Sequence, residues 1–497
     1  ENGKLWQKLG DALAASGRGS RAAEAYLEAA QRAEPELATE LTRQSATHLI
    51  RSGRFEQGEA LVRKVLDALQ LSVPQTDSGL LAAIAVERAR LALRGIRFTR
   101  RDEAEIDKAR LHEAQTYATL SIDTQAYDPL RAALFEARSL RIALELGSAV
   151  DVGHALCAAA TLRGVSGTER AAREAEKLLS RAEQLARELS DPLLHARAQS
   201  ARAMCAFLLG HVQQVVELSE SAERLYHQHV HAAGRIPSEY YHRFAVKSAR
   251  IGALFQLGQL RQASQELRQT LQEARNNENR TAQLHLTMVV SLDDIAQGRA
   301  ARSRARLDTE RAQLPQVGFG PLHLLHMVAV MRVGCALSDF AWTEQALAPM
   351  WRNFDRSLLR HGVLAQLIYG AHARLLLNRH VLEGRTEDLR RVLERDLRAM
   401  AKRPAHLPPA ILSRMHARCA YLRGVAHDQV ALLYREHVQA CLRAEYADEV
   451  ARARWALGRV LADAEGAVLC SEALSALGAI GFADPERDVV SHFPELS

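Results

Sequence analysis

The densest potential chemistry in this sequence is histidine. Tyr226-His227-Gln228-His229-Val230-His231 places His227 and His231 four apart, on one helix face, where two imidazoles could share a metal ion. His229 would point elsewhere, and no flanking Cys or carboxylate completes a ligand set. The bland alternative is a solvated helix end before Gly234 and Pro237, where a cationic histidine suits the helix dipole. His323 and His326 lie three apart amid Leu322, Leu324 and Leu325, which reads as a helix face with partly buried rings. Cys157 sits three after His154, but nothing orients that imidazole, and a nucleophile needs an oriented base. Ser238-Glu239-Tyr240-Tyr241-His242-Arg243 opens a helix with an aromatic and basic cluster that could line a ligand groove; packing of the rings between helices is the alternative. The sequence has no kinase Gly-rich loop, His-Arg-Asp loop or Asp-Phe-Gly, and no P-loop. The chain therefore reads as a non-enzyme with no cofactor or metal site.

The elements that would position these residues are helices. The 497 residues are 47% hydrophobic and only 5% aromatic. Ala, Leu and Arg, all strong helix formers, dominate. The 13 prolines fall mostly between periodic segments, and no alternating β-branched run is long enough for a sheet. The sequence predicts an all-α chain. Net charge is +6 and pI about 9.1. Lysines number seven, so the positive charge is arginine. Arg and Glu interleave along nearly every helix, as in Arg173-Glu174-Ala175-Glu176-Lys177, the pattern of a solvated face rather than a nucleic-acid surface. Six dispersed cysteines without a CxxC read as small buried residues in a reducing compartment. No signal peptide and no apolar run of membrane length occurs, so the expected location is cytoplasmic. The chain opens on Glu1 inside a helical pattern, which suggests a fragment.

Trp6, Leu9 and Gly10, then Ala22, Tyr26 and Pro35, match W-x2-L-G-x2-Y, A-x3-F and P, with Leu13 in place of the first aromatic. Trp6, Leu9 and Leu13 share one face of a first helix. Gly10 and Ala22 let a second helix come close, Gly17 ends the first helix, and Ser20 stands where it could cap the second. This resembles the tetratricopeptide (TPR) repeat. A second unit follows: Gly53 lies 36 residues after Gly17, against ~34 for the repeat, and Gly58, Val62 and Val65 take the slots of Ala22, Tyr26 and Ala29. Asp128-Pro129, Thr168 and Asp191-Pro192 are helix starts. Turn glycines recur at Gly210, Gly258, Gly298, Gly384 and Gly424. Breaks fall at 318–321 and 404–409. Roughly 20 to 24 helices, stacked as antiparallel pairs in a right-handed α-solenoid superhelix, are expected. The segments are TPR units over 1–76, irregular TPR-like hairpins over 77–190, a TPR-like array over 191–480 and a tail over 481–497.

Longer stretches carry a second resemblance. Residues 53–74 (GRFEQGEALVRKVLDALQLSVP), 91–106 (LALRGIRFTRRDEAEI), 128–147, 155–190 and the tail GFADPER look like the C-terminal TPR-like region of large serine/threonine protein kinases of myxobacteria-like organisms. In that family a kinase domain and a STAND-type ATPase module precede the helical region. The resemblance implies a sensor or scaffold arm that binds a protein, a peptide or a small effector, with its own upstream ATPase and kinase domains as possible partners. On the repeat pattern, the expected concave-face residues are Lys4, Gln7 and Asp11, then Glu40, Arg43 and Thr47, with Tyr240, Tyr241 and Arg243 at the later helix opening. The alternative, motivated by pI, is a basic nucleic-acid-binding solenoid.

Overall fold

The computed structural model describes residues 2–233, 237–402 and 408–497; the side chains of 103, 229–233, 237–242, 408 and 409 also stand outside the described set. The described residues form 26 α-helices and no strand. Three residues expected to start helices do so: Asp128, Thr168 and Asp191 each accept hydrogen bonds from backbone N–H groups of the first turn. Those donors have no partner inside the helix, which is why Asp and Thr are favoured there. The expected turn glycines, Gly17, Gly53, Gly210, Gly258, Gly298, Gly384 and Gly424, all have positive φ. The count exceeds the sequence expectation because some helices break. Arg280–His285 and Thr287–Ala296 are separate pieces, and a π-helical turn at Val392–Asp396 divides Thr386–Arg391 from Leu397–Ala401.

The first hairpin packs as its small residues require. A Cβ on Gly10 would lie 2.7 Å from the Tyr26 ring, so only glycine lets Asn2–Ala15 and Gly19–Ala30 approach this closely. One expectation fails here: Ser20 does not cap the second helix, which begins at Gly19 with Arg18 at the cap and no side-chain bond. Trp6 and Leu9 remain 36% and 43% exposed, while Leu13 of the same face packs beside Ala22 and Tyr26.

Each helix packs mainly on its neighbours in sequence, and the chain also meets itself across long separations. Thr281 Oγ1 donates to the Ile50 carbonyl at 2.7 Å, and Arg18 pairs with Glu278 at 3.1 Å. The Leu322 N–H donates to the Ala126 carbonyl, and the Val363 N–H to the Val165 carbonyl at 3.0 Å. Gly320 makes the first of these junctions possible, since a Cβ there would lie 2.4 Å from Ala126 O. One large apolar core runs through these contacts, joining residues from Ala23 to Cys419; a second collects 206–496, and a third 91–205. No single helix among the described residues is long and apolar enough to cross a membrane.

Candidate ligand-binding chamber

The long-range junctions do more than join distant helices. They turn the open groove expected from the repeat into a chamber of about 860 Å³. Its inner wall is built from the faces that Lys108–Thr124, Ala149–Gly164, Pro192–Leu209 and Pro237–Gln256 turn inward. Ile122, Cys157, Ala201, Leu208, Val246 and Met288 on this wall are buried. The chamber is bordered by the segments that dock across the chain, 316–325 against Ala126 and 357–364 against Val165, and stays partly open to solvent.

The rim is different in kind. Asp77, Arg88, Ser166, Gln316, Arg356, Leu358 and His361 line the chamber yet remain exposed. Arg88 and Arg356 make no hydrogen bond or ion pair among the described residues. Asp128 caps its helix and lies 3.2 Å from the Arg131 guanidinium. Arg197 lines the wall as a buried side chain. Burial pulls His285 down to about 4, so its imidazole is neutral at pH 7.

The polar groups of the wall are arranged to close local hydrogen bonds. Ser121 donates to the Ala132 carbonyl, Thr161 to Cys157, Ser166 to Arg163, Ser248 to His285 and Ser357 to Phe354. These hydroxyls therefore spend their protons on backbone oxygens rather than on a histidine ring. An activated nucleophile needs the reverse arrangement.

The residues expected on a concave face are placed as follows. Lys4 and Asp11 are exposed and Gln7 is half-buried, with Asp11 accepting the Tyr26 hydroxyl hydrogen bond at 2.9 Å. Glu40 and Arg43 pair with each other one helical turn apart, at 2.8 Å. Thr47 is a correction: it is buried and donates to Asp123 Oδ2, because Lys108–Thr124 covers this side of Pro35–Arg51. Arg243 is held by Glu223, donating from Nη2 at 2.9 Å and from Nε at 3.2 Å to Oε2. It borders a second, water-sized space of about 10 Å³ rather than the chamber. The side chains of Tyr240 and Tyr241 lie outside the described set.

The histidine candidates separate. His227 is exposed, 3.9 Å from Glu223, while His229 and His231 lie outside the described side chains. His323 is buried; its Nδ1 accepts the Gly320 N–H at 3.1 Å and its Nε2 meets the Pro315 carbonyl at 3.0 Å, so it fastens the loop that borders the chamber. His326, one turn on, is buried with neither ring nitrogen partnered, and burial pulls it down to about 3. Among the described residues no three His, Cys, Asp or Glu side chains are placed to hold a metal ion. All six thiols are free, and burial pushes those of Cys205 and Cys419 up to about 12 and about 11.

The sequence reading missed the chamber. Its residues are scattered from Asp77 to Leu364, and no local period marks them. The one available signal was Gly318-Phe319-Gly320-Pro321, which read only as a break. Comparison with protein-family models finds no match, and neither does comparison with curated proteins.

Proposed function

We propose that this chain is a non-catalytic TPR-like α-solenoid that holds a small effector inside its curve and relays its presence. The right-handed superhelical arrangement of hairpins is part of this reading. It is supported by the sequential packing of the helices and by turn glycines that recur in one conformation. The single observation that carries the function is the chamber. Its volume falls in the range of about 300–1,000 Å³ that small-molecule sites occupy, and most of its lining surface is apolar, with polar groups interspersed. The hydroxyls bonded to backbone carbonyls favour binding over turnover. The resemblance to kinase/STAND proteins adds a context in which such an arm would control upstream ATPase and kinase modules.

The test is a thermal-shift screen of the pure chain against a panel of small anions, cations, neutral apolar molecules and short peptides, repeated on Ala158→Trp/Ala245→Trp, which narrows the chamber. At least one panel member should raise the melting temperature saturably in the native chain and less in the narrowed one. No binder, or equal binding by both proteins, overturns the reading. The pure chain should also show no ATP hydrolysis and no phosphotransfer, and measurable turnover would contradict it.

The nucleic-acid alternative draws less support. Many arginines that raise the pI are spent within the fold, as in Arg141 with Glu87 and Glu145, Arg250 with Glu220 and Glu266, and Arg202 with Glu176 and Glu183.

A further inference from the structure

We infer that the chamber's ligand is an anionic amphiphile, a long acyl chain ending in a carboxylate or a phosphate. This deepens the binding reading above and rests on it. Two observations on the chamber's lining point the same way.

The inner wall offers an apolar lining to a chain. Ala201, Leu208, Val246, Ala249 and Met288 are buried side chains that face the space, and Met204 and Phe207 are half-buried beside them. Each methylene moved from water to such a wall raises affinity roughly fourfold. A long, unbranched body gains most, because every carbon contributes and few polar groups are needed.

The rim offers charge to a head. Arg88 and Arg356 are exposed, line the chamber and make no hydrogen bond or ion pair among the described residues. Other exposed arginines, Arg173, Arg187 and Arg261 among them, also lack a partner; what sets Arg88 and Arg356 apart is that they line the chamber. A guanidinium offers two parallel donors to a carboxylate or phosphate, the geometry such heads accept. The acids nearby do not cancel these charges. Asp128 is engaged with Arg131, which leaves Asp77 as the chamber's one acid outside an ion pair. Glu136 feels the Arg88 charge but is pushed up to about 7 by burial, so it neutralises that guanidinium incompletely at neutral pH. The charge left at the rim is positive, and the walls behind it are apolar.

Isothermal titration and native mass spectrometry with oleate, kept below its aggregation concentration, test this. Oleyl alcohol keeps the chain without the charge, oleoyl lysophosphatidate exchanges the head, and an acidic peptide supplies charge without the chain. The variants are Arg88→Glu/Arg356→Glu, at two exposed positions, and the narrowed Ala158→Trp/Ala245→Trp; circular dichroism checks that each folds. Oleate or lysophosphatidate should bind one to one, and whichever is tighter identifies the head. Oleyl alcohol, or loss of both rim arginines, should weaken binding roughly ten- to a hundredfold, and narrowing the chamber should weaken it as well. Equal binding of oleyl alcohol, unchanged binding by the charge-reversed variant, or unchanged binding by the narrowed variant overturns the inference. If a neutral or cationic panel member or the acidic peptide binds and the two anionic amphiphiles do not, this inference falls while the binding reading stands. If nothing binds, both fall.

Discussion

Around Arg418, arginines and carboxylates are buried together in pairs; at the chamber rim, two arginines stand exposed and alone. Arg418 is fully buried and donates to both Glu495 oxygens, at 2.6 and 2.7 Å, and to Asn378 Oδ1. Arg452 reaches Asp488 at 2.7 Å and Asp448 at 2.5 Å, and Arg414 takes Glu449 at 2.7 and 2.9 Å. Arg374 has no carboxylate and uses His492 Nε2 and the Ser491 carbonyl instead. A buried charge is tolerated only when paired and hydrogen-bonded, so these groups fix how the C-terminal helices meet. Arg88 and Arg356 have no such duty and keep their solvation. The same residue type thus stands in two settings, distinguished by its partner: a charge matched inside the fold helps to hold the fold, and one left unmatched beside a cavity keeps its donors free.

The contrast breaks most visibly at the C-terminal network. Glu495→Ala leaves the Arg418 guanidinium buried without its counter-charge and should cost about 3–5 kcal/mol in urea denaturation. Replacing both partners, Arg418→Met/Glu495→Leu, should cost much less, since the expensive state is the unpaired one. Equal losses in the two variants would mean that packing, not pairing, dominates there.

Next in size is a buried acid on the chamber side that has no such partner. Glu136 makes no hydrogen bond or ion pair among the described residues, and burial, against the pull of Arg88 and Arg163, raises it from 4.5 to about 7. The folded protein holds this proton more tightly than the unfolded chain. Stability attributable to Glu136 is therefore intact below pH 4.5, falls as pH rises through 7, and then levels off. Glu136→Gln should be more stable than the native chain by on the order of 3 kcal/mol at pH 8 and equal to it at pH 4. A difference that does not change with pH would refute the assignment.

Histidine gives the opposite slope. His326 falls from 6.5 to about 3 and so must stay neutral to remain folded. Its contribution is complete above pH 6.5 and is lost as the pH drops toward 3. His326→Leu should recover roughly 2 kcal/mol of the stability that the native chain loses between pH 8 and pH 5. His437, also at about 3, keeps the native chain acid-sensitive in that variant. The smallest effect belongs to the rim: Arg88→Ala/Arg356→Ala should change stability by no more than about 0.5 kcal/mol, as for surface residues without partners.

Local features of this fold were legible in the sequence. Asp128, Thr168 and Asp191 cap helices because a short side chain puts its oxygen within reach of the first free N–H groups, which depends on neighbours alone. Gly10 and Tyr26 meet because a hairpin brings them together within a few turns. Thr47 was misjudged because the group that buries it, Asp123, is 76 residues away. The chamber was illegible for the same reason. It depends on Gly320 meeting Ala126 and Val363 meeting Val165, contacts between segments roughly two hundred residues apart that leave no periodic trace.

Hydrogen–deuterium exchange of the intact chain, with and without oleate at saturation, locates the ligand directly. The account predicts slower exchange at 157–165, 200–208, 245–249 and 357–364, with 414–452 unchanged. Protection confined to the first two hairpins or to the helices around Arg418, with none on the chamber wall, would contradict it.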